Sequence, residues 1–162
     1  MTVRDELITA LTASSGSISL YATLAAGSTP FDQLEAGNVY IDGQTRARRA
    51  NKEVLLIYLG RDRVWASTGR RFLTRFSIEL FLASSDRVQS KDRRYEIAVE
   101  QAAQELVEAL DQKEATFNSV LTAQVHRVSL FEASSVDILF PDEADSRTRY
   151  VQTLQLEVEA FE

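Results

Sequence analysis

The chain has 162 residues, of which 44% are hydrophobic and 26% charged, and its formal net charge is −6. This length and composition are typical of one globular domain, and we expect a single domain over residues 1–162. No apolar segment reaches the roughly 18 residues that a membrane span requires, and the polar start Met1–Glu6 is unlike a secretory signal. The absence of cysteine excludes disulfides, thiolate metal sites and a cysteine nucleophile.

The charge is divided unevenly along the chain. Residues 1–95 contain 14 Lys or Arg and 10 Asp or Glu, whereas residues 96–162 contain 4 and 14. Such a division suits a protein that meets different partners on different faces. A mixed solvated surface would give the same count, because charge segregated in sequence need not be segregated in space.

The first third of the chain predicts short elements. Apolar residues at helical spacing from Val3 to Leu11 predict an amphipathic helix. Residues 14–37 are ambiguous, and the segment 18–22 within them fits either a strand or a helix. A short strand follows over residues 38–43, and residues 44–52 predict an exposed connection.

Two strong strand patterns come next. Residues 54–59 form an unbroken apolar run, which predicts a strand covered on both faces. Residues 72–82 alternate, with apolar side chains on one face and Arg75, Ser77 and Glu79 on the other. Between them, residues 60–71 predict an exposed hairpin loop that carries the only tryptophan.

The second half predicts one long helix and more strands. Apolar residues from Tyr95 to Leu110 form one continuous helical stripe, for which Ser90 can provide the N-cap. Strands are expected at about 122–131 and from Arg149 to Ala160, with an acidic loop over residues 141–146 between them. The order predicts an α+β fold: a mainly antiparallel sheet of four to five strands, with the N-terminal helix and the long helix on one face.

The sequence offers little catalytic chemistry. His126 is the single histidine, and no G-x-S-x-G nucleophile motif accompanies it. The six glycines form neither of the phosphate-binding patterns. The acidic loop lacks the frame of a calcium site. We therefore predict no catalytic residues, no cofactor and no metal.

The basic residues between 44 and 75 could neutralise phosphates. The acidic whole protein and the few interleaved aromatic residues favour contact with an acidic protein surface instead. The basic and tryptophan side chains that we predict at a protein interface are Arg46, Arg48, Arg49, Arg61, Arg63, Trp65, Arg70 and Arg71. Trp and Arg are enriched among interface anchors, although a loop whose Trp65 folds back onto the sheet fits the same sequence.

The order and composition of these elements resemble the tail terminator, or tail completion, proteins of long-tailed bacteriophages. The resemblance lies in the strands at 39–43, 54–60, 76–83 and 150–158 and in the long helix between the last two. It concerns element order and strand composition and includes no invariant motif.

The resemblance implies a structural virion protein without enzymatic activity. Subunits of this family form a hexameric ring at the head-proximal end of the tail tube, in the phage tail and neck, after assembly in the cytoplasm of the host bacterium. The implied partners are other copies of the chain, the tail tube protein, the head–tail connector or stopper protein and, in a contractile tail, the sheath protein.

DNA would pass through such a ring without specific binding, and no membrane is involved. A basic channel would retain the phosphates, so we expect acidic residues of the carboxyl-terminal half, with Asp142, Glu143 and Asp145 as candidates, to face the channel. Two alternatives remain open: a soluble α+β enzyme or small-ligand-binding domain, and another neck or connector protein of the same virion.

Overall fold

The computed structural model describes residues 2–43, 50–64, 70–84, 93–141 and 147–162. The α-helices in these ranges are α1 (Val3–Leu11), α2 (Leu20–Ala25), α3 (Arg94–Leu110) and α4 (Glu114–Val120), with short 3-10 helices at Pro30–Gln33 and Ala36–Asn38. The strands are β1 (Val39–Ile41), β2 (Lys52–Arg63), β3 (Arg71–Ala83), β4 (Val125–Glu132), β5 (Asp137–Leu139) and β6 (Arg149–Phe161).

The strands form one mixed sheet in the order β1-β2-β3-β6-β4. The three-residue strand β5 also pairs with β6, next to Arg149–Val151, whereas β4 pairs with the part of β6 from Leu154 to Ala160. Only β1 and β2 are parallel, and the other pairs are antiparallel. The α+β class is confirmed, with one short strand more than expected because three residues are too few to show an alternating pattern.

The core lies on one face of the sheet. Ile78 at the centre of β3 pairs with Leu56 of β2 and Leu154 of β6, and all three side chains are fully buried. Helix α3 covers this face with the stripe that the sequence predicts, in which Ala102 and Leu106 are fully buried. Each large apolar side chain buried here contributes about 1.5–3 kcal/mol.

The buried apolar residues form one continuous cluster. Helices α1 to α4 and the long strands β2, β3, β4 and β6 all contribute to it. Helix α2 packs against the outer side of α3, where Glu105 accepts hydrogen bonds from the backbone N–H and the hydroxyl of Ser28, each at 3.0 Å. That residues 1–162 form a single domain remains a prediction.

In the described part of the chain the helices leave the second face of the sheet open, although Glu53, Ser77, Arg149 and Glu159 on this face are buried. On this face Leu55 and Ile57 of β2 are half-buried, and Leu59 further along the strand is 48% exposed. The prediction that residues 54–59 are covered on both faces is therefore wrong. The helices pack on the face that carries Val54 and Leu56, so the apolar run has a cover on one side only.

The loop of the β2–β3 hairpin is shorter than predicted. Residues 60–63 continue β2, and Arg71 begins β3, because the two strands keep pairing as far as Arg63 and Phe72. Lys52, expected in the preceding connection, likewise lies in β2. The predicted cap Ser90 lies outside the described residues, and α3 begins at Arg94.

Strand β4 departs from simple alternation through a bulge. Val125 pairs with Ala160 and Arg127 with Glu159, so His126 is an extra residue without a register partner. As a result both Val125 and Val128 are buried, although an uninterrupted strand would place them on opposite faces.

Candidate interaction surface

The outer end of β2 exposes apolar side chains. Strand β2 contains a bulge between Tyr58 and Gly60, and Gly60 has a φ of +135°, a conformation that side-chain-bearing residues rarely adopt. Tyr58 and Leu59 at the bulge are both exposed at the strand edge. Tyr58 lies on the helix side, where its ring is 5.6 Å from that of the buried Phe76, and Leu59 lies toward the other face. The guanidinium of Arg4 lies 5.3 Å from the centre of the Tyr58 ring. We call Tyr58 and Leu59 the hairpin patch.

The arginines next to the hairpin patch are largely engaged within the chain. Arg61 forms an ion pair with Glu162 and lies over the ring of Phe72 at 4.1 Å. Arg71 contacts Glu159 at 3.2 Å. These contacts tie the hairpin to the last strand, because Glu159 and Glu162 lie in or just after β6. They give Arg61 and Arg71 a structural role that the sequence did not suggest.

The structure describes four of the residues predicted at an interface, and it brings them to one end of the sheet. Arg63 ends β2 and is exposed, Arg70 is exposed just before β3, and Arg61 and Arg71 lie beside them. The remaining predicted site residues, Arg46, Arg48, Arg49, Trp65, Asp142, Glu143 and Asp145, lie outside the described residues. The interface role of the whole set stays a prediction.

A second apolar surface lies at the opposite edge of the sheet. Strands β4 and β5 together form this edge, and Phe131, Ile138, Leu139 and Phe140 are exposed along it. Phe140 is 77% exposed. We call these four residues the edge patch. Sequence reasoning missed this surface, although the apolar run that ends in Phe140 directly before Pro141 was a usable signal.

An acidic cleft adjoins the edge patch. It lies between α3 and the turn after β4, and it is lined by Glu100, Gln104, Glu132, Ala133, Ser134, Ser135 and Gln152. The side chain of Gln152 is almost fully buried, with 2% of the residue exposed. Its Nε2 donates to the backbone oxygen of Ser134 at 3.1 Å, whereas its Oε1 has no hydrogen-bond partner among the described residues.

A buried ion pair fixes the far end of the sheet. Glu53 of β2 is fully buried and accepts a 3.0 Å contact from the guanidinium of Arg149 in β6. Its carboxylate also accepts hydrogen bonds from the hydroxyl of Tyr40 at 3.0 Å and from the backbone N–H of Ala50 at 2.5 Å. Arg149 in turn lies 4.6 Å from the centre of the Phe81 ring. This pair therefore holds β1 and β2 against the start of β6.

The described residues contain no cluster that could hold a metal ion. His126 is exposed at the β4 bulge. Across residues 2–43, 50–64, 70–84, 93–141 and 147–162, no group of three or more His, Asp or Glu side chains is placed to hold a metal ion. Among the described helices, none combines the length and the apolar character that crossing a bilayer requires.

Comparisons with known proteins give weak structural similarity and no sequence match. No protein-family model and no curated protein matches the sequence. The structure is similar to a chain of the solved "Virion of native gene transfer agent (GTA) particle", with a TM-score of 0.46 and 16% sequence identity over 88% of this chain and 93% of that one.

Proposed function

We propose that this chain is a structural virion protein of a long-tailed bacteriophage and that it forms a ring, of six copies by the family resemblance, at the head-proximal end of the tail tube. The ring stops polymerisation of the tube and joins the tail to the head connector. The observation that carries this proposal is the presence of two unlike exposed apolar surfaces. The hairpin patch and the edge patch lie toward opposite edges of one sheet.

Two unlike surfaces are what a ring of identical subunits needs. A two-fold dimer uses the same surface on both copies, whereas a ring joins one surface of each copy to a different surface of the next. The edge patch contains an unpaired strand edge and Phe140, a large side chain with no cover in the described part of the chain. Exposed edges and apolar patches of this kind are typical of surfaces that bind another protein.

Several charges beside the two patches are opposite in sign, although Asp62 lies between the two arginines of β2 and Arg149 pairs with Leu139. Glu132 and Asp137 flank the edge patch, and Arg61 and Arg63 lie in the strand that carries the hairpin patch. A guanidinium has five donor hydrogens, so the ion pair of Arg61 with Glu162 leaves donors for a second carboxylate. Opposite charges at the two sides favour a head-to-tail contact and disfavour a contact between like sides.

The acidic residues of the 141–146 loop are proposed to face the DNA channel of the ring. A channel that carries acidic groups repels the phosphates and lets DNA pass. Replacing Asp142, Glu143 and Asp145 together by lysine is expected to slow DNA release from the particle, and unchanged release kinetics would contradict this placement.

The proposed function is tested by imaging particles made without the protein. Deleting its gene from the phage should leave overlong tails or tails without heads, because nothing would end the tube or bind the connector. Supplying the wild-type protein from a plasmid is the control and should restore normal particles. Tails of normal length with heads attached, in the absence of the protein, would contradict the proposal.

A further inference from the structure

The acidic cleft beside the edge patch contains an acceptor that the fold leaves unused. The Oε1 atom of Gln152 is buried without a hydrogen-bond partner among the described residues. Exchanging the oxygen and nitrogen of this amide would not help, because the nitrogen already donates to the Ser134 carbonyl, and an exchange would place two acceptors together. A buried acceptor without a partner costs about 1–3 kcal/mol, so a donor that enters the cleft would recover part of this cost.

Two carboxylates that line the cleft indicate that its ligand is positively charged. Glu100 projects from α3 and Glu132 ends β4, and both line the cleft. A hydrogen bond with Glu96 and, more weakly, the charge of Glu100 raise the pKa of Arg93. The hydroxyls of Ser134 and Ser135 and the amide of Gln104 complete the lining. Two negative charges around a buried acceptor select a cation that can donate hydrogen bonds.

From this arrangement we infer that the cleft receives an arginine side chain from a neighbouring copy of this chain. This inference rests on the proposed function, because it identifies the polar part of the contact that the edge patch begins. A guanidinium can donate to a carboxylate and to the Gln152 amide at once, because its five donors spread in one plane.

A second copy is the occupant that the charges favour. The cleft is lined by Glu132 at the end of β4, on the same sheet edge as the exposed Phe140. The opposite side of the sheet carries Arg4, Arg61 and Arg63 near the hairpin patch. A metal ion fits less well, because the described residues include no cluster of three or more potential side-chain ligands.

The test removes the two charges without changing the size of the side chains. The double variant E100Q/E132Q is compared with the wild type and with E35Q/E108Q, a control in which two exposed carboxylates outside the cleft are neutralised. Self-association is measured by analytical ultracentrifugation over a concentration series. Thermal unfolding of each protein checks that the fold is intact.

The inference predicts that E100Q/E132Q associates at least about tenfold more weakly than the wild type, as expected when one partner of a desolvated charge pair is removed. The control should associate as the wild type does, and chelators should have no effect. Equal association of E100Q/E132Q and the wild type would overturn the inference and leave the proposed ring untouched. Loss of association in EDTA would show that the contact between copies requires a metal ion and would also overturn the inference.

A wild-type protein that stays monomeric at every concentration would overturn the inference too, because no second copy would then enter the cleft. If the proposed function is wrong, the deletion strain will instead make tails of normal length with heads attached. The two failures can therefore be told apart.

Discussion

Glu79 lies at the centre of the open sheet face, between Leu55 of β2 and Thr153 of β6. Burial against these neighbours raises the pKa of its carboxyl above the ordinary value, and the nearby charge of Asp42 raises this pKa further. The folded protein therefore holds a proton on Glu79 at pH values where the unfolded chain has released it.

This pKa shift predicts a pH-dependent stability. For an acid whose pKa is higher in the folded state, the free energy of unfolding falls as the pH rises from the ordinary pKa to the raised one. Glu79→Gln should therefore be more stable than the wild type near neutral pH and should lose this advantage in acid. Urea unfolding at a series of pH values measures the difference, and the same difference at every pH would contradict the prediction.

The buried pair of Glu53 and Arg149 predicts a large loss of stability on mutation. Glu53→Gln removes the charge that faces the buried guanidinium and weakens the acceptor of the Tyr40 hydroxyl. Removing one partner of a buried ion pair costs about 3–5 kcal/mol. Chemical unfolding of the variant gives this cost directly. A loss below about 1 kcal/mol would show that Arg149 is stabilised mainly by other groups.

At the scale of an element, the bulge in β2 depends on a glycine. Gly60 has a φ of +135°, and a Cβ added there would meet no atom within 4 Å, so backbone strain is the main cost of a side chain. Gly60→Ala should therefore lower the free energy of unfolding by about 1–3 kcal/mol.

Gly37 provides a matched control, because its added Cβ would also meet no atom within 4 Å and its φ lies outside the left-handed region. Gly37→Ala should change stability by about 0.5 kcal/mol or less. Equal effects of the two substitutions would contradict the role assigned to the Gly60 conformation.

The edge formed by β4 and β5 predicts that assembly and stability respond to different residues. Phe140→Ala should leave the free energy of unfolding within about 0.5 kcal/mol of the wild type, because the side chain is 77% exposed. The same variant should weaken self-association, since large aromatic side chains dominate such contacts.

Phe117→Ala is the matched comparison for Phe140→Ala. This side chain belongs to α4 and is fully buried, so its removal should cost about 3–5 kcal/mol of stability. Unfolding and ultracentrifugation of both variants separate the two roles. Normal association of the Phe140→Ala protein would remove the edge patch from the interface.

How well each element could be predicted depends on its length and on whether one of its faces is buried against the core. Strand β3 and helix α3 were predictable because 13 and 17 residues repeat their pattern many times and bury one face against the core. Strand β5 and helix α4, with 3 and 7 residues, carry too few repeats. The bulge at His126 was hidden, because one inserted residue leaves the composition of a strand unchanged.

The interaction surface was less predictable than the fold, because a sequence shows which residues are apolar but not which of them remain uncovered. Residues 54–59 were expected to be buried on both faces, yet Leu59 is exposed. The arginines near 61–71 were expected to reach a neighbour, yet Arg61 and Arg71 form ion pairs with the end of the chain. Both outcomes depend on contacts distant in sequence.

At the scale of the whole molecule, the account depends on the direction in which copies join. The hairpin patch and the edge patch lie toward opposite edges of the sheet, so a contact between them leaves one unused patch on each end of a pair. Further copies can add until the ring closes. A contact between two copies of the same patch would end at a dimer.

Cross-linking between the two patches tests this claim most directly. The chain has no cysteine, so Leu59→Cys and Ser135→Cys introduce the only thiols, one in the hairpin patch and one in the acidic cleft beside the edge patch. With a flexible bifunctional maleimide, the protein that carries both substitutions should give a ladder of covalently linked species that ends at the number of copies in the ring. Each single variant should give no covalent link between copies. A dimer from either single variant, or a double variant that gives nothing larger than a dimer, would contradict head-to-tail assembly.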